Sequence, residues 1–193
     1  VTPLTPKQLE VIMQATTCTM LGIDPATDIN AGSKVRIGWQ LAGQPYAQDP
    51  SVDVCVLRAV EEDNLYDKLR DRQLIVNANE TDISEEQYTR VWHIFWVLYG
   101  PNSFDRARMI RSGILNDSIH DNLANSNIYA VPEISAPIRV PEVSNGKWWE
   151  RVDLECLFYE NVLEDTVINT VLSSEVILDT PAGVAADFTV TGE

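Results

Sequence analysis

The sequence predicts an α+β fold: a mainly antiparallel β-sheet flanked by helices, with extended loops or arms. Residues 148–159 read WWERVDLECLFY, with Val152, Leu154, Cys156 and Phe158 facing one way and Arg151, Asp153 and Glu155 the other. That period-2 alternation marks a strand with one wet face, as antiparallel sheets have. Residues 88–99, YTRVWHIFWVLY, crowd Trp92, His93, Phe95, Trp96 and Tyr99 into a run apolar on both faces, the mark of a central strand covered on two sides; a ligand platform of Trp and Tyr is the alternative. The coarse order is helix, strands, helix, two strands, without the regular alternation of a parallel sheet.

Taken in order, Thr5 and Pro6 open a helix over 5–21, with Leu9, Ile12, Met13 and Met20 at near-helical spacing and Gly22 and Asp24-Pro25 closing it. Residues 24–50 form a long turn-rich loop broken by the strand-like KVRIGW. A loop this long in a compact domain is functional or lies against a neighbouring subunit. A strand over 52–60 follows, and then a charged excursion over 64–86, expected to be extended or a hairpin arm. Gly100-Pro101 ends the aromatic strand, because Pro lacks a donor and Gly permits the sharp turn.

Asn102 or Ser103 caps the next helix, with Phe104, Ala107, Ile110 and Ile114 on one stripe and Arg106, Arg108 and Arg111 elsewhere. The stretch NDSIHDNLANSN reads as polar loop, and the three prolines of IYAVPEISAPIRVPE favour an extended edge. A last strand is expected over 167–178. The organisation is one domain over 1–178 and a small-residue C-terminal tail over 179–193, which wanders or docks on a partner.

The chain has 193 residues, 45% hydrophobic and 22% charged, which is ordinary globular composition with room for a sizeable core. No run approaches a membrane span and VTPLTPKQLE lacks the pattern of a signal peptide, so a soluble protein with no membrane partner is expected. A formal charge of −15 repels phosphate and argues against a nucleic-acid grip, while permitting a surface that DNA passes without sticking. Cys18, Cys55 and Cys156, odd in number and set among apolar residues, read as reduced core thiols in a cytoplasmic setting.

The chemistry-bearing motifs are absent. Only His93 and His120 could serve as an imidazole base, one in an apolar strand and one in the polar loop, and neither accompanies a nucleophile elbow. There is no Cys-x-x-Cys or close Cys/His pair for zinc, and no glycine-rich phosphate loop. DPATDINAGSK looks like a calcium loop, yet position twelve is Val35 or Trp39 where a bidentate Glu is needed. Asp153 and Glu155 with Trp148 and Trp149 suggest glycoside hydrolysis only weakly, and a sugar-binding module slightly better. No catalytic, cofactor-binding or metal residue is assigned, and no cofactor is expected.

Three segments, KVRIGWQLAGQPYAQDPSVDVCVLRAV, TRVWHIFWVLYGPNSFDRARMIRSGIL and WWERVDLECLFYENV, together resemble one family: the neck terminator, or tail terminator, proteins of tailed bacteriophages. The most distinctive part is the strand that runs into Y-G-P-N-S-F-D-R-A-R. The resemblance implies a non-enzymatic structural subunit of the virion tail or neck, assembled in the host cytoplasm. It implies a homo-oligomeric ring, expected to be a hexamer, on the head-proximal end of the tail tube. The implied partners are the tail tube protein, the neck connector or head-completion protein and a sheath, with DNA passing through the channel without specific binding.

The family offers no catalytic residues to carry over. The helix over 5–21, the loop over 24–50 and the excursion over 64–86 depart from a minimal tail terminator. A head-closure or other tail-assembly protein is the alternative within the structural class, and a carbohydrate-binding module the alternative outside it. Trp39 and Tyr46, with the wet-face residues Arg151, Asp153 and Glu155, are candidate subunit-interface residues, since aromatic side chains concentrate in interface cores. Trp39 and Tyr46 pinning the loop to its own domain is an equal alternative.

Overall fold

The computed structural model describes residues 2–24, 26–38, 49, 51–75, 82–144, 146–168, 173–180 and 183–191. The chain divides into two compact units, Val1–Arg70 with Gln87–Leu163 and Asp71–Glu86 with Glu164–Glu193. In the first unit, helix α1 (Pro6–Met20) begins at a capping box. The Thr5 hydroxyl accepts from the Gln8 backbone N–H while Gln8 Oε1 accepts from the Thr5 N–H, so two otherwise orphaned donors are satisfied. The helix ends in a Schellman motif. Gly22, at φ +68°, lets the Ile23 N–H reach the Cys18 carbonyl at 2.8 Å and its own N–H reach Thr19.

A short helix α2 (Ala31–Lys34) leads into β1 (Val35–Ile37), which pairs parallel to β2 (Val54–Glu62). After α3 (Leu65–Lys68) and β3 (Asp71–Ile75), β4 (Asp82–Tyr99) pairs antiparallel to β2, with Cys55 opposite Leu98 and Leu57 opposite Trp96. Helices α4 (Ser103–Ile114) and α5 (Asp117–Ala124) follow, then the short strands β5 (Ile128–Ala130), β6 (Ile138–Arg139), β7 (Glu142–Ser144) and β8 (Lys147–Trp149). Strand β9 (Arg151–Ile168) completes a sheet of order β1-β2-β4-β9-β5, with β3 also on β4 and β6 also on β9. This is the α+β, mostly antiparallel architecture that the sequence predicts.

The main core lies on one face of that sheet. Leu57, Trp92, Ile94, Trp96, Leu98, Val152, Leu154 and Phe158 are buried there beneath Leu9 and Met13 of α1, Ala107 and Ile110 of α4, and Ile119 and Leu123 of α5. Trp96 shows how a large aromatic group is accommodated: its Nε1–H donates to Thr17 Oγ1 at 2.9 Å and its ring meets Phe158 edge-on. The most deeply buried carboxylate described in this unit, Glu160, is 2% exposed. It accepts from Trp92 Nε1 at 2.7 Å, from the Leu4 backbone N–H at 2.7 Å and from Arg90 Nη1 at 3.3 Å. Arg90 also grips Glu61 with two bonds, which raises its already high pKa further, and it lies over the Trp92 ring.

In the second unit, β3 is exposed along its whole length and Arg72 pairs with Glu86 at 2.9 Å. Strands β10 (Ser173–Thr180) and β11 (Gly183–Thr191) form a two-stranded antiparallel sheet with a register shift at Leu178/Asp179.

Several local expectations are corrected. The polar stretch after Asn116 is helical, because Asn116 caps it through Ser118 and Ile119 and Leu123 reach the core; His120 therefore stands on a helix and not in a loop. Of the strand expected over 167–178, residues 167–168 lie in β9 and 173–178 in β10, while 169–172 lie outside the described residues. Residues 183–191, read as tail, form β11. The strand expected from Val52 begins at Val54, since Val52 and Asp53 belong to the turn that meets α4. Asn102 does occupy the N-cap of α4, but its side chain makes no cap bond and donates instead to Asp53. Finally, the second face of β4 is only half covered by the described residues: His93, Phe95 and Val97 are each partly exposed, because the described helices that enter the main core pack on the other face.

Gly100, at φ +109°, is where β4 turns into α4, and an added Cβ would stand 2.5 Å from Asp53 Oδ1. Asp53, just before β2, accepts from the Asn102 N–H at 2.9 Å and so holds the N-terminal end of α4. Gly100→Ala is therefore expected to destabilise the chain by about 2–4 kcal/mol, from strained backbone and overpacking together, measured by urea unfolding.

Glu10, 6% exposed on α1, has its carboxyl pushed above its ordinary value of 4.5 by burial, partly opposed by the bond it accepts from the Ala59 N–H. The folded chain thus holds that proton more tightly than the unfolded one. The stability this confers is complete below pH 4.5 and is lost as pH rises through the elevated value. Glu10→Gln is expected to melt higher than the natural chain at neutral pH, with the gap narrowing in melts run at progressively lower pH.

Candidate functional site

The exposed face of the first unit's sheet is built from residues that alternate with the core. On β9, Val152, Leu154 and Cys156 are buried, so Arg151, Asp153 and Glu155 point to the opposite, wet side. Arg151 and Asp153 form a two-bond fork, Nε to Oδ1 at 2.7 Å and Nη2 to Oδ2 at 2.8 Å. Arg151 Nη1 also donates to Glu142 Oε2 at 3.1 Å, and Tyr99 donates to the same oxygen. The Asp153 bonds, followed by those of Glu142, raise the arginine pKa well above its ordinary value, so it is charged at any working pH.

Glu155 lies beside β4, its Oε2 3.4 Å from His93 Nε2, while the other ring nitrogen of His93 lies 2.7 Å from Glu62 on β2. The imidazole stacks on Phe95, with centroids 4.0 Å apart, and the Arg58 guanidinium covers the same phenyl ring. Three strands thus present one continuous row of rings and charges.

The hairpin β7–β8 closes one end of this face. Trp149 is buried against Val54, Val56 and Tyr99 as a second, smaller core, whereas Trp148 on the opposite side of the ribbon is exposed. The two tryptophans therefore do not form a paired sugar platform. Beyond Trp149 the face opens into a groove of about 490 Å³, walled by the 135–140 segment and floored by Val56, Phe95 and Val97, with Arg58 and Glu155 along it.

Of the candidate interface residues, Arg151, Asp153 and Glu155 are brought together here; Trp39 and Tyr46 lie outside the described residues. Arg58, Phe95 and Glu142 also belong to the surface and were not singled out from sequence. His93 supplied the available signal, since a polar residue at period 2 with Phe95 and Val97 marks a face that is not fully dry.

The three cysteines are free and buried, and burial raises all three thiol pKa values, that of Cys156 to about 12, which makes them poor nucleophiles. Among the described residues no cluster of His, Cys, Asp and Glu could hold a metal ion, and no helix is long and apolar enough to cross a membrane. His120 pairs loosely with Asp121 at 3.9 Å and lies near Tyr129, away from His93 and its carboxylates in the chain's order of elements.

Among the described residues the α+β fold thus presents a groove lined by rings and ion pairs. A family model described as phage neck terminator protein matches residues 7–181. The chain belongs to that family, and it is a structural component of the bacteriophage virion in the tail and neck, where it associates with other tail and neck proteins. A search of curated proteins finds no match to this chain.

The Arg151–Asp153 fork is partly exposed, and so it contributes modestly. A double-mutant cycle with Arg151→Ala and Asp153→Ala is expected to give a coupling energy of about 1 kcal/mol in chemical unfolding, and Arg151→Lys to recover less than half of it because an ammonium cannot form the fork.

Proposed function

We propose that the chain assembles into a closed ring, a hexamer, on the head-proximal end of the tail tube, where it halts tube growth and joins the tube to the neck connector. Its role is structural and not catalytic. The observation that carries this reading is the neck terminator match across residues 7–181, nearly the whole chain. A sheath is a further candidate partner, and assembly takes place in the host cytoplasm.

The charge supports a channel through which DNA slides: six copies at −15 each carry about −90 formal charges, which repel the phosphate backbone. Identical subunits in a ring meet through unlike surfaces. The interface residues we assign are Trp39 and Tyr46 from the 24–50 loop and Arg151, Asp153 and Glu155 from the wet face of β9.

Native mass and negative-stain imaging of the purified chain, alone and mixed with its tail tube protein, test the reading. Rings, and capped tubes of limited length, are expected; a monomer that leaves tube growth unchanged overturns it. Replacing both Trp39 and Tyr46 by Ala is expected to give folded monomers, and rings that persist in that variant remove those two residues from the interface.

A further inference from the structure

The wet face carries an apolar layer that the described residues cover only in part. Trp149 lies on Val54, Val56 and Tyr99. Beside it, Phe95, Val97 and Ile138 border a groove of about 490 Å³ that is large enough for an aromatic side chain, and Ile138 is 60% exposed. Along the same groove Glu155 is 48% exposed, with His93 at 3.4 Å, while its neighbours Arg151 and Asp153 are already engaged with each other. The open end of the groove therefore asks for a flat apolar group next to a cation.

The chain displays that pair on its own surface. On the β7–β8 hairpin, Trp148 is 73% exposed and stands directly opposite Val143, itself 55% exposed. Lys147 precedes it, exposed at the hairpin turn and within coulombic reach of Asp49. Successive residues of a ribbon face opposite ways, so with Trp149 committed to its own sheet, Trp148 and Val143 face outward. Tryptophan is also the residue type most enriched among energetically dominant interface positions.

We infer that the groove receives the β7–β8 hairpin of a second copy of this chain, with Trp148 seated on Phe95, Val97 and Ile138 and Lys147 paired with Glu155. Hairpin and groove are different surfaces, so the contact runs head to tail and repeats from copy to copy, as a closed ring requires. This rests on the ring reading above and names the surfaces that make it.

The test is sedimentation velocity and native mass spectrometry on the full chain and on Trp148→Ala, Lys147→Glu, Glu155→Lys and the double variant Lys147→Glu/Glu155→Lys. Trp148→Ala is expected to raise the concentration at which rings dissociate by roughly thirty-fold or more, the scale of a dominant interface tryptophan. Each single charge reversal is expected to weaken assembly and the double reversal to restore it. Circular dichroism and melting of the dissociated chains should match the natural protein, since both hairpin side chains are exposed. Rings of Trp148→Ala and Lys147→Glu that form at the natural concentration overturn this contact and leave the ring reading standing. A double reversal no better than the single ones overturns the Lys147–Glu155 pairing. A natural chain that stays monomeric alone and with tube protein overturns both the contact and the ring.

Discussion

The buried carboxylate of Glu160 joins more of the first unit than any single apolar contact does. A carboxyl group 2% exposed is tolerable only if its oxygens find hydrogen-bond partners, because burying a polar group without them is costly. Here the partners are the indole of Trp92, the backbone N–H of Leu4 and Arg90, whose remaining donors go to Glu61 and to the Leu4 carbonyl. Strands β2, β4 and β9 and the segment that leads into α1 are thereby set relative to one another by a few directional bonds. Area burial alone, being non-directional, would not choose that register.

Once the register is set, the sheet has two unlike faces. The helices cover one with a continuous core, and Thr17 reaches in to satisfy the indole of Trp96. Among the described residues Trp149 and the 135–140 segment lie over the other face, and there the side chains change character from Val54 and Val56 to Arg58, His93, Arg151, Asp153 and Glu155. These groups bond chiefly to one another. A face of that kind is stable in water and still holds an apolar floor for a partner, which suits a structural protein that must fold before it assembles. Asp53 plays the corresponding part at the end of the sheet, where one carboxylate caps α4 through Asn102 and lies against Arg106.

Legibility in the sequence followed how local each signal was. The alternation of Arg151, Asp153 and Glu155 with Val152, Leu154 and Cys156 is complete within one strand, and the structure has both faces as read. Helix α1 announces itself through Thr5, Pro6, Gln8 and Gly22, all within a few residues of its ends. By contrast α5 shows only Ile119 and Leu123 among polar residues, too few to establish a period, and its stability comes from the core they enter. The pairing of β10 with β11 is equally hidden, because small residues such as Gly183, Ala185 and Ala186 carry little strand preference of their own.

By itself the sequence determined the fold class, the wet face of β9, the apolar run of β4 and the burial of the three cysteines, because each is written in residue type and spacing along a continuous stretch; the family came instead from the resemblance of three separate segments to known proteins. Only the tertiary structure decided which side of β4 is dry, that Trp149 turns inward while Trp148 turns outward, and that Asp53 caps a helix 49 residues further on. It alone also brought Glu62, His93 and Glu155 into one row. Those outcomes depend on which segments, distant in sequence, come to lie against each other, and that is set by strand register and helix packing and not by any residue's local preference.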